Sequence, residues 1–301
     1  MDKKKIIEEI IRLKKEKNAI ILAHNYQNPE IQDIADFVGD SLELAKISSK
    51  VKEDLVIFCG VFFMAETANI LAPDKKIVLP VIDADCPMAR MVDKNEVIKV
   101  KSLYPDAAVV TYVNSTADVK ALTDICCTSS NVIKVVNSVP NDRIIFLPDK
   151  NLGRNIARFI PKDFIFVEGY CPTHQLIYED EILRTKDEHR DAEIIMHPEV
   201  DPSIAKYADK LLSTGGMLRY AKTVKNKKLV IVTEAGLMHR LKKEAPWNQY
   251  YNIGRDIICG NMKKIGLNNV LEALETESPL IVVEEEIRNK AYNAIKRMIE
   301  L

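Results

Sequence analysis

Three stretches of this chain are laid out on one ruler, and repetition of that kind decides a fold before any local feature does. The first begins with the apolar run Ala19-Ile20-Ile21-Leu22-Ala23, which leads directly to His24. Ser41 follows 17 residues after His24, a second apolar run reaches Val56 at 32, and Cys86 stands at 62. From Tyr112, after Ala108-Val109-Val110-Thr111, the marks fall on Ser129, Ile144 and Cys171 at 17, 32 and 59. From His197, after Ile194-Ile195-Met196, they fall on Thr214, Val230 and Cys259 at 17, 33 and 62. An aspartate, Asp36, Asp124 or Asp209, lies 12 past each anchor. The period is 85 to 88 residues, so 301 residues hold three copies.

Within each copy, short runs rich in β-branched residues alternate with helical segments. Such runs read as parallel strands covered on both faces, because a strand buried on both sides has no polar alternate residues. The first copy predicts strands at 19–23, 55–58 and 76–79, and helices at 32–38, 41–49 and 63–71. The second predicts strands at 108–111, 143–147 and 164–167, the third at 193–196, 228–232 and 250–253. Each third strand is expected to end at that copy's cysteine. An amphipathic helix over 1–17 precedes the repeats, and a charged helix over 284–301 follows the strap Pro279-Leu280-Ile281-Val282-Val283. The expected fold is α/β: three similar αβα sandwich units with parallel sheets arranged about a pseudo-threefold axis. Expected unit bounds are 1–103, 104–190 and 191–283, with 284–301 a helix packing on the body. Ligands of open parallel sheets bind outside the carboxyl ends of the strands. His24, Tyr112 and His197 occupy that end of the first strand in each unit, so three such units would aim them at one centre.

Composition narrows the function. A net charge of −1 supplies no field to draw in nucleic acid or an acidic membrane. Residues 1–17 lack the apolar core of a signal peptide, and no run approaches the roughly 18 apolar residues of a membrane span. A cytoplasmic protein is expected. There, six cysteines are metal ligands, catalytic groups or buried thiols rather than disulfides.

Cys86 and Cys171 precede proline, which favours the first turn of a helix. Both are therefore expected to cap short helices, where a thiol pKa falls and the thiolate, the ligand form, is favoured. Three thiolates at matched positions suit a [4Fe–4S] cluster that leaves one iron without a protein ligand, free to polarise a substrate oxygen. Zinc fits less well, with no Cys-x-x-Cys pair and no evident fourth ligand. Cys59, Cys126 and Cys127 lie off the matched positions and are assigned to packing, a common place for free cysteine.

Ser41, Ser129 and Thr214 each precede a helical segment and read as N-caps. Three caps around one axis would make an anion-binding ring, with Ser213-Thr214-Gly215-Gly216 the best phosphate cradle. Glu199 is the candidate general base, and His24, Tyr26, Tyr112 and His197 are further proton donors or acceptors. Asp36, Asp124 and Asp209 are read as structural. His174 and Lys150 are weaker site candidates; His189 and His239 are surface or helix residues.

The ordered motifs His24-Asn25-Tyr26-Gln27, Gly39-Asp40-Ser41-Leu42, Met64-Ala65-Glu66-Thr67, Tyr112-Val113-Asn114-Ser115, Pro148-Asp149-Lys150-Asn151-Leu152, His197-Pro198-Glu199 and Ser213-Thr214-Gly215-Gly216-Met217 resemble those of the quinolinate synthase family over essentially the whole length. The resemblance implies three αβα sandwiches around a [4Fe–4S] cluster on Cys86, Cys171 and Cys259. It implies condensation of iminoaspartate (iminosuccinate) with dihydroxyacetone phosphate to quinolinate, with loss of phosphate and water, in NAD biosynthesis. Substrate contacts would fall on His24, Ser41, Tyr112, Val113, Asn114, Ser129, His197, Pro198, Glu199 and Thr214. Tyr26, Tyr112, His197 and Glu199 would be catalytic, and the enzyme that supplies the imine would be a transient partner. The rival enzyme is a three-cysteine iron–sulfur class of the diphthamide-synthase type, which cleaves S-adenosylmethionine. A non-catalytic cluster-binding protein would need a partner surface, and no large basic or apolar run offers one.

Overall fold

Parallel strands must be joined by crossovers long enough to hold a helix, and each repeat supplies them. In the computed structural model, which describes residues 2–301, the first repeat forms β1 (Ala19–His24), β2 (Phe37–Gly39), β3 (Leu55–Cys59) and β4 (Lys76–Val78). The second forms β5 (Ala108–Tyr112), β6 (Ile125–Cys127), β7 (Arg143–Leu147) and β8 (Asp163–Phe166). The third forms β9 (Glu193–Met196), β10 (Lys210–Leu211), β11 (Lys228–Val232) and β12 (Gln249–Tyr251). The orders are β2-β1-β3-β4, β6-β5-β7-β8 and β10-β9-β11-β12, with every pairing parallel. Three copies of one topology confirm the repeat.

Three expectations fail here. Each sheet has four strands, not three, and the helix expected at 32–38 is instead Pro29–Ile34 followed by β2. Pro29 at the first helical position starts that helix early. The missed edge strands are two or three residues long, too short for periodicity to register. Nor do the last strands run to the cysteines: β4, β8 and β12 stop at Val78, Phe166 and Tyr251, and loops carry the chain onward.

The three aspartates explain how each edge strand is held. Asp36, Asp124 and Asp209 precede β2, β6 and β10, and their Oδ2 atoms accept the N–H of Ile21 (2.8 Å), Val109 (2.8 Å) and Ile194 (2.7 Å). Their own N–H groups donate to the carbonyls of the same residues at 2.9, 3.0 and 2.8 Å. A side chain thus extends the ladder one step past the end of a very short strand.

Both faces of the sheets are covered. In β9 and β11, Ile194, Met196, Val230 and Val232 enter one apolar cluster while Ile195, Leu229 and Ile231 enter another, the alternation a pleated strand imposes. While Val109, Ile145 and Leu147 on one face of the second sheet enter a separate cluster, both faces of the first sheet and the other face of the second merge into one core. That core also takes Ile6, Ile10 and Leu13 of the helix Lys3–Glu16, the helix Leu267–Thr276, and Ala291, Ala294, Ile295 and Met298 of the helix Glu285–Glu300. The strap covers the free edge of β4, with Ile281 N–H donating to Ile77 O at 2.8 Å. Among the described residues no helix is long and apolar enough to cross a membrane.

Candidate active site

With each sheet ordered second-first-third-fourth, the strand order reverses between the parallel first and third strands, and a crevice opens beyond their carboxyl ends. One buried cavity, with ≈ 670 Å³ of empty space including its mouth, gathers these ends from all three units. The first unit contributes His24, Tyr26, Ser41 and Cys86; the second Tyr112, Asn114, Ser129 and Cys171; the third His197, Glu199, Thr214 and Cys259. Val61, Phe63, Met64, Met88 and Met262 form the apolar walls.

Two expected contacts stand outside. Val113 spends its N–H on Cys127 O (2.8 Å) and turns its side chain to a separate void. Pro198 lines a hollow on another face. Both sit just past a strand end, Val113 in a bend after β5 and Pro198 in a turn after β9, so strand alternation no longer sets where their side chains go. Lys150 is also elsewhere, paired with Glu168 at 2.6 Å. His239 pairs with Asp33 on the surface, and His189 stacks on Tyr251.

Glu199 is the electrostatic centre. Its buried carboxylate accepts from Tyr112 Oη at 2.6 Å on Oε1 and lies 2.8 Å from His174 Nδ1 on Oε2, with His197 Nδ1 at 3.5 Å. Burial pushes its pKa up, but the two imidazoles and the bonds from His174 and Tyr112 outweigh that and hold the carboxyl well below the usual range. Burial keeps His197 neutral, its pKa down to about 4, so its charge helps only in acid. At neutral pH the two donated bonds keep Glu199 ionised. Burial likewise lowers His24 to about 4 and raises Tyr26 and Tyr112 well above 10. With Nδ1–H given to Glu199, His174 Nε2 accepts from Thr233 Oγ1 at 2.9 Å, and Tyr26 Oη meets Thr233 at 2.5 Å. A hydrogen-bonded line therefore runs Tyr26–Thr233–His174–Glu199–Tyr112.

The hydroxyls are not the helix caps. Asp40 and Ser213 cap the helices Ser41–Ser48 and Thr214–Thr223, which leaves Ser41 and Thr214 as first-turn residues. Ser129 Oγ meets His197 Nε2 at 3.1 Å, and Thr214 Oγ1 accepts from Asn25 at 2.9 Å. Asp40, Ser130 and Ser213 bond to one another where the three loops meet. Gly215 is required there, since a Cβ would fall 2.5 Å from Asp40 Oδ2.

Cys86 and Cys171 do cap the short helices Pro87–Arg90 and Pro172–Gln175, yet their thiol pKa values are raised, not lowered. Burial pushes Cys86 up to about 12, lifts Cys171 well above 9 and raises Cys259; one helical turn of amides is outweighed by desolvation. Cys59, Cys126 and Cys127 are buried in strands away from the cavity. Cys171, His174 and Glu199 form a group that could hold a metal ion. The 2.8 Å between His174 and Glu199 is a hydrogen-bond length, so an ion recruited there would have to push them toward the roughly 3.3 Å that ligands at about 2.0 Å take around a tetrahedral metal.

Sequence reasoning missed Asp40, Thr128, Thr173 and Thr233 and underrated His174. Thr233 had a signal, since it directly follows β11, a central strand; His174 had another, one turn from Cys171 on the same short helix.

Fold and cavity together define a class: an enzyme of three parallel-sheet units that share one buried, cysteine-bearing site. The family model described as NadA, Quinolinate synthetase A protein, matches residues 8–300, and the chain belongs to that family. It is similar to proteins named quinolinate synthase. That of Thermodesulfovibrio yellowstonii is 51% identical over 296 residues, 98% of each chain. That of Methanoregula boonei is 51% identical over 294 residues, 98% of this chain and 97% of its own. That of Alkaliphilus metalliredigens is 48% identical over 302 residues, covering 100% of both. The family places the chain in NAD biosynthesis and leaves the reading as an S-adenosylmethionine-cleaving enzyme without support.

Proposed function

We propose that the chain condenses iminoaspartate with dihydroxyacetone phosphate to give quinolinate, phosphate and two waters. One observation carries this reading: a cysteine, a hydroxyl and an acid–base side chain from every unit line one cavity. The enzyme that makes the unstable imine is the proposed transient partner, and six free thiols suit the reducing cytoplasm.

Cys86, Cys171 and Cys259 would hold a [4Fe–4S] cluster with one iron free of protein ligands. The donor set fits: three free thiols share a cavity, and among the described residues they do not form a group within 4.8 Å. One tetrahedral zinc, with Zn–S of about 2.3 Å, would draw its sulfurs to within roughly 4 Å; a polynuclear centre takes a wider set. Bound there, the cluster would supply a Lewis acid for a substrate oxygen, and the raised thiol pKa values mean that loading releases protons.

The remaining roles belong to side chains. Ser41 and Thr214 begin helices at the cavity wall, where free N–H groups attract carboxylate and phosphate. With Ser129, His24, His197 and Tyr112 they would fix both substrates. Asn114 Oδ1 is buried without a protein partner, which suits a donor on the ligand. Ionised Glu199 would take protons during condensation, while Tyr26, Tyr112 and His197 hold or return them.

The test is anaerobic purification, iron and sulfide analysis, then an assay for quinolinate. Cys171→Ser should lose cluster and activity, and Cys126→Ser should keep both. Glu199→Gln should keep the cluster and lose turnover. Equal losses in the two cysteine variants, or a fully active Glu199→Gln, would overturn these assignments.

A further inference from the structure

Past the end of β9 the chain from His197 to Val200 leaves the sheet, and its carbonyls lose their ladder partners. Buried backbone carbonyls require donors, and two asparagines of the second unit provide them. Asn155 Nδ2 donates to Pro198 O at 2.9 Å and Val200 O at 2.8 Å. Asn151 Nδ2 donates to Glu199 O at 3.4 Å and to Gln175 Oε1 at 3.0 Å. Both side chains are fully buried, and they stand one turn apart on one face of the helix Lys150–Ala157. The Asn155 amide has a defined orientation, because Arg158 donates to its Oδ1 at 2.6 Å.

The grip therefore spans three consecutive carbonyls centred on Glu199. Asn151 also holds the helix Pro172–Gln175, which carries His174. One rigid helix thus anchors both members of the 2.8 Å contact between Glu199 and His174. Neither asparagine lines the cavity, so neither touches substrate.

We infer that Asn151 and Asn155 are positioning residues for the reaction, aiming the Glu199 carboxylate between Tyr112 and His174 by holding its backbone from the neighbouring unit. The inference rests on reading Glu199 as the acid–base residue. Because a misplacement of about 1 Å can cost on the order of a hundredfold in rate, the effect belongs in kcat and not in binding.

Asn155→Leu keeps the size and removes both donated bonds; Asn155→Ser is the gentler variant should leucine fail to fold. The measurements are kcat, KM for each substrate, affinity for quinolinate, and iron per chain. In the folded variant we expect kcat to fall about tenfold or more, with each KM and the product affinity within about threefold and iron unchanged. Wild-type kcat, a change confined to KM, or loss of iron alongside kcat in both variants would overturn the inference, the last by showing a general structural role. Glu199→Gln belongs in the same series. Full activity there would bring down the reading of Glu199; an inactive Glu199→Gln beside wild-type asparagine variants would bring down the positioning role alone.

Discussion

Replacing Lys263 with methionine tests how the loop carrying Cys259 is held. Glu234 is wholly buried, and its carboxylate accepts the N–H of Gly236 at 2.7 Å and of Cys259 at 3.3 Å. Lys263 Nζ lies 2.9 Å from Oε1 and 3.1 Å from Oε2, and also reaches Tyr26 O at 2.5 Å. Methionine preserves the stem and deletes the charge. Removing one partner of a buried pair costs about 3–5 kcal/mol. Two backbone donors remain, so the expected loss is about 3 kcal/mol near pH 8. Burial pushes the Glu234 pKa up, and attraction to Lys263 limits the rise. Without the lysine, the folded-state pKa climbs further above its unfolded value. The folded state then binds a proton that the unfolded state does not, so stability falls as pH rises through that window and returns below it. The deficit should therefore be smaller near pH 5.5 than near pH 8. Urea unfolding of the cluster-free protein, free of metal linkage, reads this directly at constant m. A loss below about 1 kcal/mol, or one equal at both pH values, would refute the account.

Tyr112→Phe removes a bond that favours ionised Glu199, so the acid limb of kcat should move to higher pH. A hydrogen bond to a charged group is worth about 1.5–3 kcal/mol, which corresponds to a shift of about one to two pH units; an unmoved limb would remove Tyr112 from that role. Asp124→Ala strips the acceptor from Val109 N–H and from Lys101 at 3.2 Å, and should lower urea stability by about 1–2 kcal/mol with activity kept. Asp36→Ala and Asp209→Ala should cost similar amounts, and one costless variant would break the proposed equivalence of the three clamps.

The sequence was most legible where burial is two-sided. The central strands Arg143–Leu147, Glu193–Met196 and Lys228–Val232 fall at the residues expected, because a run buried on both faces is a continuous apolar signal. The edge strands β2, β6 and β10 were hidden: Lys210–Leu211 has two residues, and its partner Asp209 is recognisable only once β9 lies beside it. Twelve of the residues picked for the site share the cavity because the ruler marks strand ends, and parallel sheets place ligands there. The relay through Thr233 was not legible, since Tyr26 and Thr233 are 207 positions apart and meet only when the first and third units pack. Thiol acidity was misjudged for the same kind of reason: a helix cap can be read from Cys-Pro, but the degree of burial cannot.

Because the cavity takes lining residues from all three thirds of the chain, the order of synthesis sets when its parts become available. A nascent polypeptide that has emerged only through its second repeat holds Cys86 and Cys171 but neither Glu199 nor Cys259. The helix Glu285–Glu300, wedged between the first two repeats, is made after all three repeats. The full set of lining residues therefore exists only once the third repeat has been made, since that repeat supplies His197, Glu199, Thr214 and Cys259.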